Sequence, residues 1–475
     1  MLFSSQLFIY IFLPALLILY FCRRGKIWRN TILIIFSLLF YAWGEPIYVL
    51  LMIGVVAVNY AAGLLMDRTR TRYARRAVLI LALVLNLGVL GYYKYTGFLV
   101  ETINLIPGVS LPVPQIGLPL GISFFTFQAL SYTVDVYRSS VNVQRSFFKI
   151  LLYISLFPQL VAGPIVQYGD IADQLDNRVS SLEDICEGVF RFAVGLGRKV
   201  LLADTCAVAA EFFLDRAVGD STVLGMWAGM IFFALQIYYD FSGYSDMAIG
   251  LGHIFGFTFK ENFNYPYLSL SASEFWRRWH ISLGTFFRDY VYIPLGGNRS
   301  HELRNLFVVW FLTGLWHGAS WNFVAWGLYY GVLILLERKA IFPLYKKIGA
   351  VASRCISAVY MVFVTVIGWT IFYFEDGFSF AERIGMLFGA NHTALSNLHD
   401  ETYLVGHIWL LLAALLLAFP IIPAILRKFQ SLFRKADTAY AVRRVAQAVF
   451  VAAILFFATA RLTGNTYSPF IYSHF

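Results

Sequence analysis

Long apolar segments alternate with short basic segments along this chain of 475 residues. A helix of about 17–25 predominantly apolar residues is long enough to cross the hydrocarbon core of a bilayer. Seven such segments lie in the N-terminal and C-terminal parts of the chain. They are predicted at about 6–21, up to 43, 47–66, up to 93, 352–374, 403–426 and 445–462. The pattern therefore predicts an all-α polytopic integral membrane protein.

The composition agrees with this interpretation. The chain is 59% hydrophobic and 13% charged, with a mean hydropathy of +0.68, whereas soluble domains carry about 25% charged residues. The net charge of +10 resides in short Lys and Arg clusters between apolar segments, so it does not indicate nucleic-acid binding. Four scattered cysteines without a CxxC pair indicate neither a zinc site nor a disulfide framework, and we expect no bound metal.

Basic clusters also predict the orientation in the membrane. Clusters at 23–29, 67–76, 427–435 and 443–444 belong in the cytoplasm under the positive-inside rule. Both termini then lie outside, and the Gly- and Pro-rich stretch 96–119 becomes an outer loop. The first apolar segment has no basic n-region or small-residue cleavage site, so we expect it to be retained as a span.

No long polar linker or internal repeat divides the chain. We therefore expect one membrane domain over 1–475, with N-terminal spans in 1–95, the chemistry in about 119–339 and C-terminal spans in 351–463. The segment 147–166 is interrupted by Pro158 and by Gly163-Pro164. Two interpretations stay open for it: a proline kink, or a re-entrant segment that lines a cavity.

One histidine lies at membrane depth. His317 is the only histidine, acid or base in the apolar stretch 306–336, and such a residue is costly unless it faces protein or water. At 31 residues, this stretch exceeds the roughly 20 needed to cross. Gly314 and Gly318-Ala319-Ser320 offer a break. We predict two helices, or one bent helix, with His317 at the junction.

A second histidine precedes it in an amphipathic stretch. Residues 273–292 are predicted to form one helix at the cytoplasmic boundary, with Trp276, His280, Leu283 and Phe287 on its apolar face. His280 is either a buried structural histidine with one hydrogen bond or a second participant in proton transfer.

Two histidines, His317 and His280, near a membrane boundary suggest proton transfer, and acyl transfer is one reaction in which a histidine base would serve. A histidine pKa of about 6.5 suits proton abstraction from an acceptor hydroxyl at neutral pH. Indole, amide or imidazole N–H groups would stabilise the oxyanion, and nearby arginines would either bind a phosphate-bearing thioester donor or only anchor the protein. The candidate donor-binding or supporting residues are Trp276, Arg277, Arg278, Trp279, Arg288, Asp289, Trp316, Asn322, Asp240 and Asp246.

The acids Asp240 and Asp246 interrupt another apolar stretch, 223–257. Acids within an apolar segment need partners. We expect them to pair with arginines such as Arg277 or Arg278 and hold the fold, with a direct chemical role as the alternative.

Four motifs resemble one known family. They are FWRRWHISL at 275–283, FRDYVYIPL at 287–295, GGNR at 296–299 and LWHGA at 315–319. Together they closely resemble the membrane-bound O-acyltransferase (MBOAT) family, in particular its bacterial branch that O-acetylates exopolysaccharides such as alginate. Further matching stretches extend the resemblance over nearly the whole chain. One departure is Trp326-Gly327-Leu328-Tyr329-Tyr330, where many relatives carry a histidine.

The resemblance implies a ring of transmembrane helices around a thin central region, with funnels on both faces. It implies that His317 is the essential membrane histidine and His280 the second. It further implies a cytoplasmic thioester donor, acetyl-CoA or an acyl carrier, with no tightly bound cofactor. The acyl group would cross a bacterial cell membrane to an SGNH-hydrolase-like acetyltransferase partner and a polysaccharide acceptor. D-alanyl transfer to teichoic acid, a non-enzymatic transporter or flippase, and a scaffold remain alternatives.

Overall fold

Every regular element is a helix in the part of the chain that the structure, a computed structural model, describes: residues 1–161, 163–345, 347–375, 379–421, 424–425 and 436–464. This confirms the all-α prediction. The described residues form two compact units, one of 1–192 and 244–260 and the other of 193–243 and 261–464. The predicted ring and funnels stay a prediction.

The helices of the first unit are α1 (Phe8–Phe21), α2 (Lys26–Ala42), α3 (Tyr48–Arg68), α4 (Arg72–Asn104), α5 (Ile122–Arg138), α6 (Phe147–Ser155), α7 (Phe157–Leu160), α8 (Tyr168–Ile171) and α9 (Gln174–Asn177). Next come α10 (Leu182–Gly197), α11 (Asp204–Leu214) and α12 (Val223–Phe255), of which α10 and α12 contribute residues to both units. The second unit continues with α13 (Ala272–Arg278), α14 (Ile281–Phe287), α15 (Glu302–His317), α16 (Trp321–Leu336), α17 (Phe342–Tyr345), α18 (Ala350–Tyr373), α19 (Ser379–Leu387), α20 (Leu398–Gly406), α21 (Ile408–Leu417) and α22 (Ala436–Gly464).

Several of these helices are long and apolar enough to cross a membrane. Among the described residues these are α3, α4, α12, α18 and the Tyr440–Gly464 part of α22. The pair α20–α21, bent by 54°, would make a sixth span. The predicted break in 147–166 is present, since α6 ends before Leu156 and α7 starts after it. The basic cluster 427–435 lies outside the described residues.

The fourth helix is longer than predicted. It runs for 33 residues to Asn104, so the loop starts there and not at Thr96. Lys94, directly after the predicted end of the span, is buried inside the helix, with its Nζ 3.4 Å from the hydroxyl of Ser123 on α5. A polar neighbour in the interior therefore lets the helix continue through a charged residue.

The two acids of α12 are paired, but not with the expected arginines. Asp240 lies 2.6 Å from the Nζ of buried Lys199, which also binds Asp204 at 2.8 Å. Asp246 accepts hydrogen bonds from Arg191 at 2.8 and 3.0 Å. The expectation of Arg277 or Arg278 was wrong. Lys199 belongs to a wide π-helical turn, Arg198–Ala203, whose side-chain directions the 3.6-residue period does not give.

Helices α15 and α16 pack with their backbones in contact. A Cβ atom on Gly314 would lie 2.3 Å from the carbonyl oxygen of Phe323, and one on Gly327 would lie 2.3 Å from that of Trp310. Small residues at a helix crossing permit this close approach. The helical conformation is interrupted at Gly318 (φ −169°) and Ser320, where the backbone is extended. This confirms the predicted helix pair with His317 at the junction.

A buried carboxylate fixes the start of α13. Glu337, the residue after α16, is fully buried and accepts hydrogen bonds from the backbone N–H of Ala272, from the N–H and hydroxyl of Ser273 at 3.0 and 2.8 Å, and from the Tyr360 hydroxyl at 3.2 Å. A negative charge at a helix N-terminus satisfies donors that the helix leaves free. Glu337 thus ties the helix that carries the aromatic motif to α16 and α18.

We expect Glu337→Ala to lower the free energy of unfolding by about 2–3 kcal/mol, because it removes a charged acceptor from buried N–H donors. Thermal unfolding of the purified protein in detergent would measure this. Glu302→Ala is the matched control: Glu302 is bound to Arg338 at the surface, where such pairs contribute about 0–1 kcal/mol. Equal melting temperatures for the two variants would contradict the role of Glu337.

We expect Gly314→Ala to lower the melting temperature and the amount of folded protein in the membrane, because its Cβ would meet the Phe323 carbonyl. Gly88→Ala is the control, since a Cβ there meets no atom within 4 Å. It should leave stability unchanged or raise it. A Gly314→Ala protein as stable as the control would show that α15 and α16 can move apart without a loss of folding free energy.

Candidate active site

A hydrogen bond within the last turn of α15 determines which ring nitrogen of His317 carries the hydrogen. The side chain is fully buried, and its Nδ1 lies 2.7 Å from the carbonyl oxygen of Thr313, one helical turn earlier. A carbonyl oxygen can only accept, so Nδ1 carries the hydrogen. In the neutral imidazole the lone pair then resides on Nε2. That is the nitrogen a general base needs.

Aromatic rings surround His317. The ring centroids of Trp326, Trp316 and Phe372 lie 4.6, 4.9 and 5.8 Å from that of the histidine. Trp326 comes from α16 and Phe372 from α18, and these two rings lie 5.3 Å apart. Three helices therefore build an apolar lining that excludes water from the imidazole. The sequence analysis named neither Trp326 nor Phe372 as a site residue, because only the helix crossing brings them to His317.

The predicted single helix over 273–292 is wrong. Helix α13 ends at Arg278, Trp279 is extended, and His280 adopts a left-handed conformation with φ +46° before α14 begins. The segment before α13 holds this break open: the Ile281 N–H donates to the Asn262 carbonyl at 3.0 Å, and the Asn264 N–H donates to the Arg278 carbonyl at 2.9 Å. A non-glycine residue in this region is strained and persists only when its surroundings enforce it.

Asn262 also orients His280. Nδ1 of the buried histidine lies 3.3 Å from Oδ1 of Asn262, and that oxygen accepts from the backbone N–H and the hydroxyl of Ser282 at 3.1 and 2.9 Å. The N–H of Ser282 can only donate, which settles which amide atom faces it. His280 therefore donates from Nδ1, and its Nε2 also carries a lone pair. Burial, and to a lesser degree His317, lowers the pKa of His280 well below its ordinary value, which keeps it neutral.

Trp316 connects the two histidines. Its ring centroid lies 4.9 Å from that of His317 and 5.7 Å from that of His280. On its other side His280 packs against Phe241 at 4.6 Å, one residue after the ion-paired Asp240. The structure thus brings both predicted histidines and Trp316 into one aromatic site.

Several buried polar groups at the site have no protein partner. Among the described residues, the indole N–H groups of Trp276, Trp279 and Trp326 and Oδ1 of Asn322 have no hydrogen-bond partner. Asn322 uses its amide nitrogen on the carbonyls of α18, at 3.3 and 3.4 Å. An indole N–H can only donate, and leaving it unpaired in the interior costs about 1–3 kcal/mol. These donors are suited to a carbonyl oxygen of a substrate.

The three arginines predicted to bind the donor, Arg277, Arg278 and Arg288, are at least partly exposed. Arg278 is bound to Glu274 at 2.9 Å and Arg288 to Asp289 at 2.7 Å, while Arg277 is exposed. None of the three forms a hydrogen bond or an ion pair with either histidine within the described ranges. The structure therefore does not bring this group to the imidazoles. Asp246 belongs to the first unit and is likewise bound elsewhere.

Two further residues of the site were missed. Asn262 belongs to a short irregular stretch without periodicity, and Glu337 directly follows the apolar stretch 306–336. A carboxylate directly after an apolar helix was the one available signal for Glu337, because such a group needs a buried partner if it is not exposed.

Comparison with known proteins identifies the family of the chain. Residues 47–375, which include both histidines, match the membrane-bound O-acyltransferase (MBOAT) family. The chain is 37% identical to a probable alginate O-acetylase of Pseudomonas putida over the full length of both proteins. It is 38% identical to a peptidoglycan O-acetyltransferase of Helicobacter pylori, over 71% of this chain and 70% of that protein. It is 27% identical to a teichoic acid D-alanyltransferase of Bacillus subtilis, over 45% of this chain and 58% of that protein.

The family match covers more than half of the chain, and the similarity to the Pseudomonas protein spans all of it. Both findings confirm the resemblance that the four motifs indicated. The chain belongs to the membrane-bound O-acyltransferase family and is a multi-pass membrane enzyme that transfers acyl groups to hydroxyls.

Proposed function

We propose that the enzyme transfers an acetyl group from a cytoplasmic thioester donor towards the hydroxyl groups of an exported polysaccharide. The observation that carries the proposal is the fixed imidazole of His317, whose Nδ1 is held by the Thr313 carbonyl inside an aromatic lining. The printed names of the relatives at 37–38% identity, an alginate O-acetylase and a peptidoglycan O-acetyltransferase, support acetyl transfer to a carbohydrate polymer.

In the proposed reaction Nε2 of His317 takes the proton of the acceptor hydroxyl while the hydroxyl oxygen attacks the thioester carbonyl. The carbonyl oxygen becomes an oxyanion, which the buried indole donors would stabilise. The C–S bond then breaks, and the thiolate leaves with the proton returned from the imidazolium. The thiolate is a good leaving group, so no covalent acyl-enzyme is required. His280, held neutral by burial, would orient the acceptor or share the proton.

The donor and the acceptor would reach this site from opposite faces. The donor would be acetyl-CoA or an acyl carrier, used as a substrate and not as a bound cofactor. We place the enzyme in a bacterial cell membrane with both termini outside, which the distribution of basic clusters supports. An SGNH-hydrolase-like acetyltransferase outside the membrane would receive the acyl group and complete its transfer to the polymer.

We expect His317→Ala to lower acyl transfer by about 10²–10⁴-fold, the usual contribution of a general base. The assay would follow acetylation of the exported polymer in cells with matched amounts of membrane protein, with the released acid identified by mass. His301→Asn is the control, because His301 is exposed and asparagine tolerates its left-handed conformation.

A folded His317→Ala protein that retains full transfer would refute the proposed base. A wild-type protein that releases alanine in place of acetate would assign the chain to D-alanyl transfer, whose relative here is 27% identical over less than half of the chain.

We expect Asn262→Ala to lower the turnover number about tenfold, equivalent to about 1.4 kcal/mol, because His280 loses the acceptor that orients it. Asn264→Ala is the control, since Asn264 holds the break through its backbone N–H, which the substitution retains. Turnover would be measured with purified protein at saturating thioester. If both variants match the wild type, the orientation of His280 has no part in the reaction.

A further inference from the structure

Two half-buried arginines lie together in the first unit, which contains none of the residues assigned to the proposed reaction. Arg29 belongs to the first turn of α2, and Arg178 follows α9. Their guanidinium carbons lie 5.0 and 5.9 Å from the ring centroid of Tyr20, in the last turn of α1. Arg29 is close enough to act electrostatically on Arg178. Two cations thus share one phenol ring.

Arg178 is held firmly in place. Its Nε donates to the Tyr20 hydroxyl and to the Phe255 carbonyl, both at 3.2 Å, and its guanidinium carbon lies 4.6 Å from the Phe257 ring centroid. Nη1 donates more weakly to the carbonyls of Gln174 and Leu175 at 3.4 Å. The bond to Phe255 satisfies the last carbonyl of α12. This structural role accounts for some of the donors of Arg178 but not for all of them.

The remaining donors have no protein acceptor. Within the described ranges, Nη2 of Arg178 and the whole guanidinium of Arg29 make no hydrogen bond, and Nη2 of Arg178 and Nε of Arg29 are buried. A guanidinium carries five N–H donors in a planar fork that matches a phosphate or a carboxylate. The pair therefore offers a set of charged donors next to one aromatic ring.

Among the described residues, no carboxylate forms an ion pair with either arginine. Asp176, which is near Arg178, is bound by Lys149 at 2.7 Å and Lys26 at 3.8 Å. In the part of the chain that the structure describes, neither Arg29 nor Arg178 has a carboxylate within 4.0 Å. Two partly desolvated like charges repel each other, and an anion between them would relieve that repulsion.

The positive-inside rule does not account for this arrangement. It explains Arg23 and Arg24, which are exposed in the turn between α1 and α2. An anchoring charge needs only water and headgroups around it. Arg29 and Arg178 instead stack on aromatic rings, and Arg178 is fastened by four hydrogen bonds.

We propose that Arg29 and Arg178, with Tyr20 beneath them, form a binding site for a phosphate group at the membrane boundary. The ligand class is a phosphate ester with net negative charge. Two sources share this chemistry: the headgroup of an anionic phospholipid, and the phosphates of a coenzyme A thioester. With a lipid headgroup the site goes beyond the proposed function; with coenzyme A it deepens that function and rests on the proposed thioester donor.

Native mass spectrometry of the full-length protein in detergent would test the site. The lipid probes are phosphatidylglycerol and, as a zwitterionic reference, phosphatidylcholine. The donor probes are coenzyme A and pantetheine, which lacks phosphate. The variants are Arg29→Gln, Arg178→Gln and the double variant, with Arg24→Gln as the matched exposed control. We expect the double variant to lose at least about tenfold in affinity for one phosphate probe, because it removes both sets of charged donors that would bond to the phosphate.

The outcomes separate the sources. Weakened phosphatidylglycerol binding with unchanged coenzyme A binding assigns the site to a lipid headgroup, and the reverse assigns it to the donor. Unchanged binding of both probes overturns the proposal.

Arg29→Gln is the decisive single variant, because Arg29 makes no side-chain hydrogen bond that folding depends on. If only Arg178→Gln weakens binding, and does so together with the melting temperature, the proposal also fails. Acyl transfer is not part of the readout, so failure of the proposed function would leave this result interpretable.

Discussion

The structure of the second unit depends on keeping a polar imidazole in an apolar interior. Burying His317 without a partner would cost several kcal/mol. The helix itself provides the first partner, because the carbonyl of Thr313 lies one turn back and accepts from Nδ1. That bond also selects the tautomer. The same interaction that makes the burial tolerable therefore leaves the lone pair on Nε2, where proton transfer needs it.

The surrounding elements hold this imidazole between fixed walls. The glycine contacts between α15 and α16 bring Trp326 against the ring, and Glu337, at the end of α16, anchors the start of α13. Asn262 holds the break that turns His280 towards Trp316. Residues distant in sequence thus converge because buried polar groups each require a specific partner. The cost of leaving any of them unpaired fixes the geometry.

The sequence predicted those features that follow from local rules. Apolar length predicted the spans α3, α4, α18 and α22, and the glycines near His317 predicted the helix break. It failed where tertiary pairing overrode periodicity. The helix predicted over 273–292 is broken at His280 because the segment around Asn262 pairs with the backbone there, and no pattern in either stretch reports that pairing. Likewise, the sequence indicated that Asp240 and Asp246 need partners, but the helical periodicity does not identify Lys199 and Arg191 as those partners.

The most direct test of the central claim is an experimental structure of the full chain with a non-reactive acetyl thioester analogue and its hydroxyl-bearing acceptor bound. The account predicts an acceptor hydroxyl within about 2.6–3.2 Å of Nε2 of His317, with Nδ1 still bound to the Thr313 carbonyl. A thioester and a hydroxyl that meet elsewhere, with the imidazole enclosed by protein alone, would contradict it and leave His317 a structural residue.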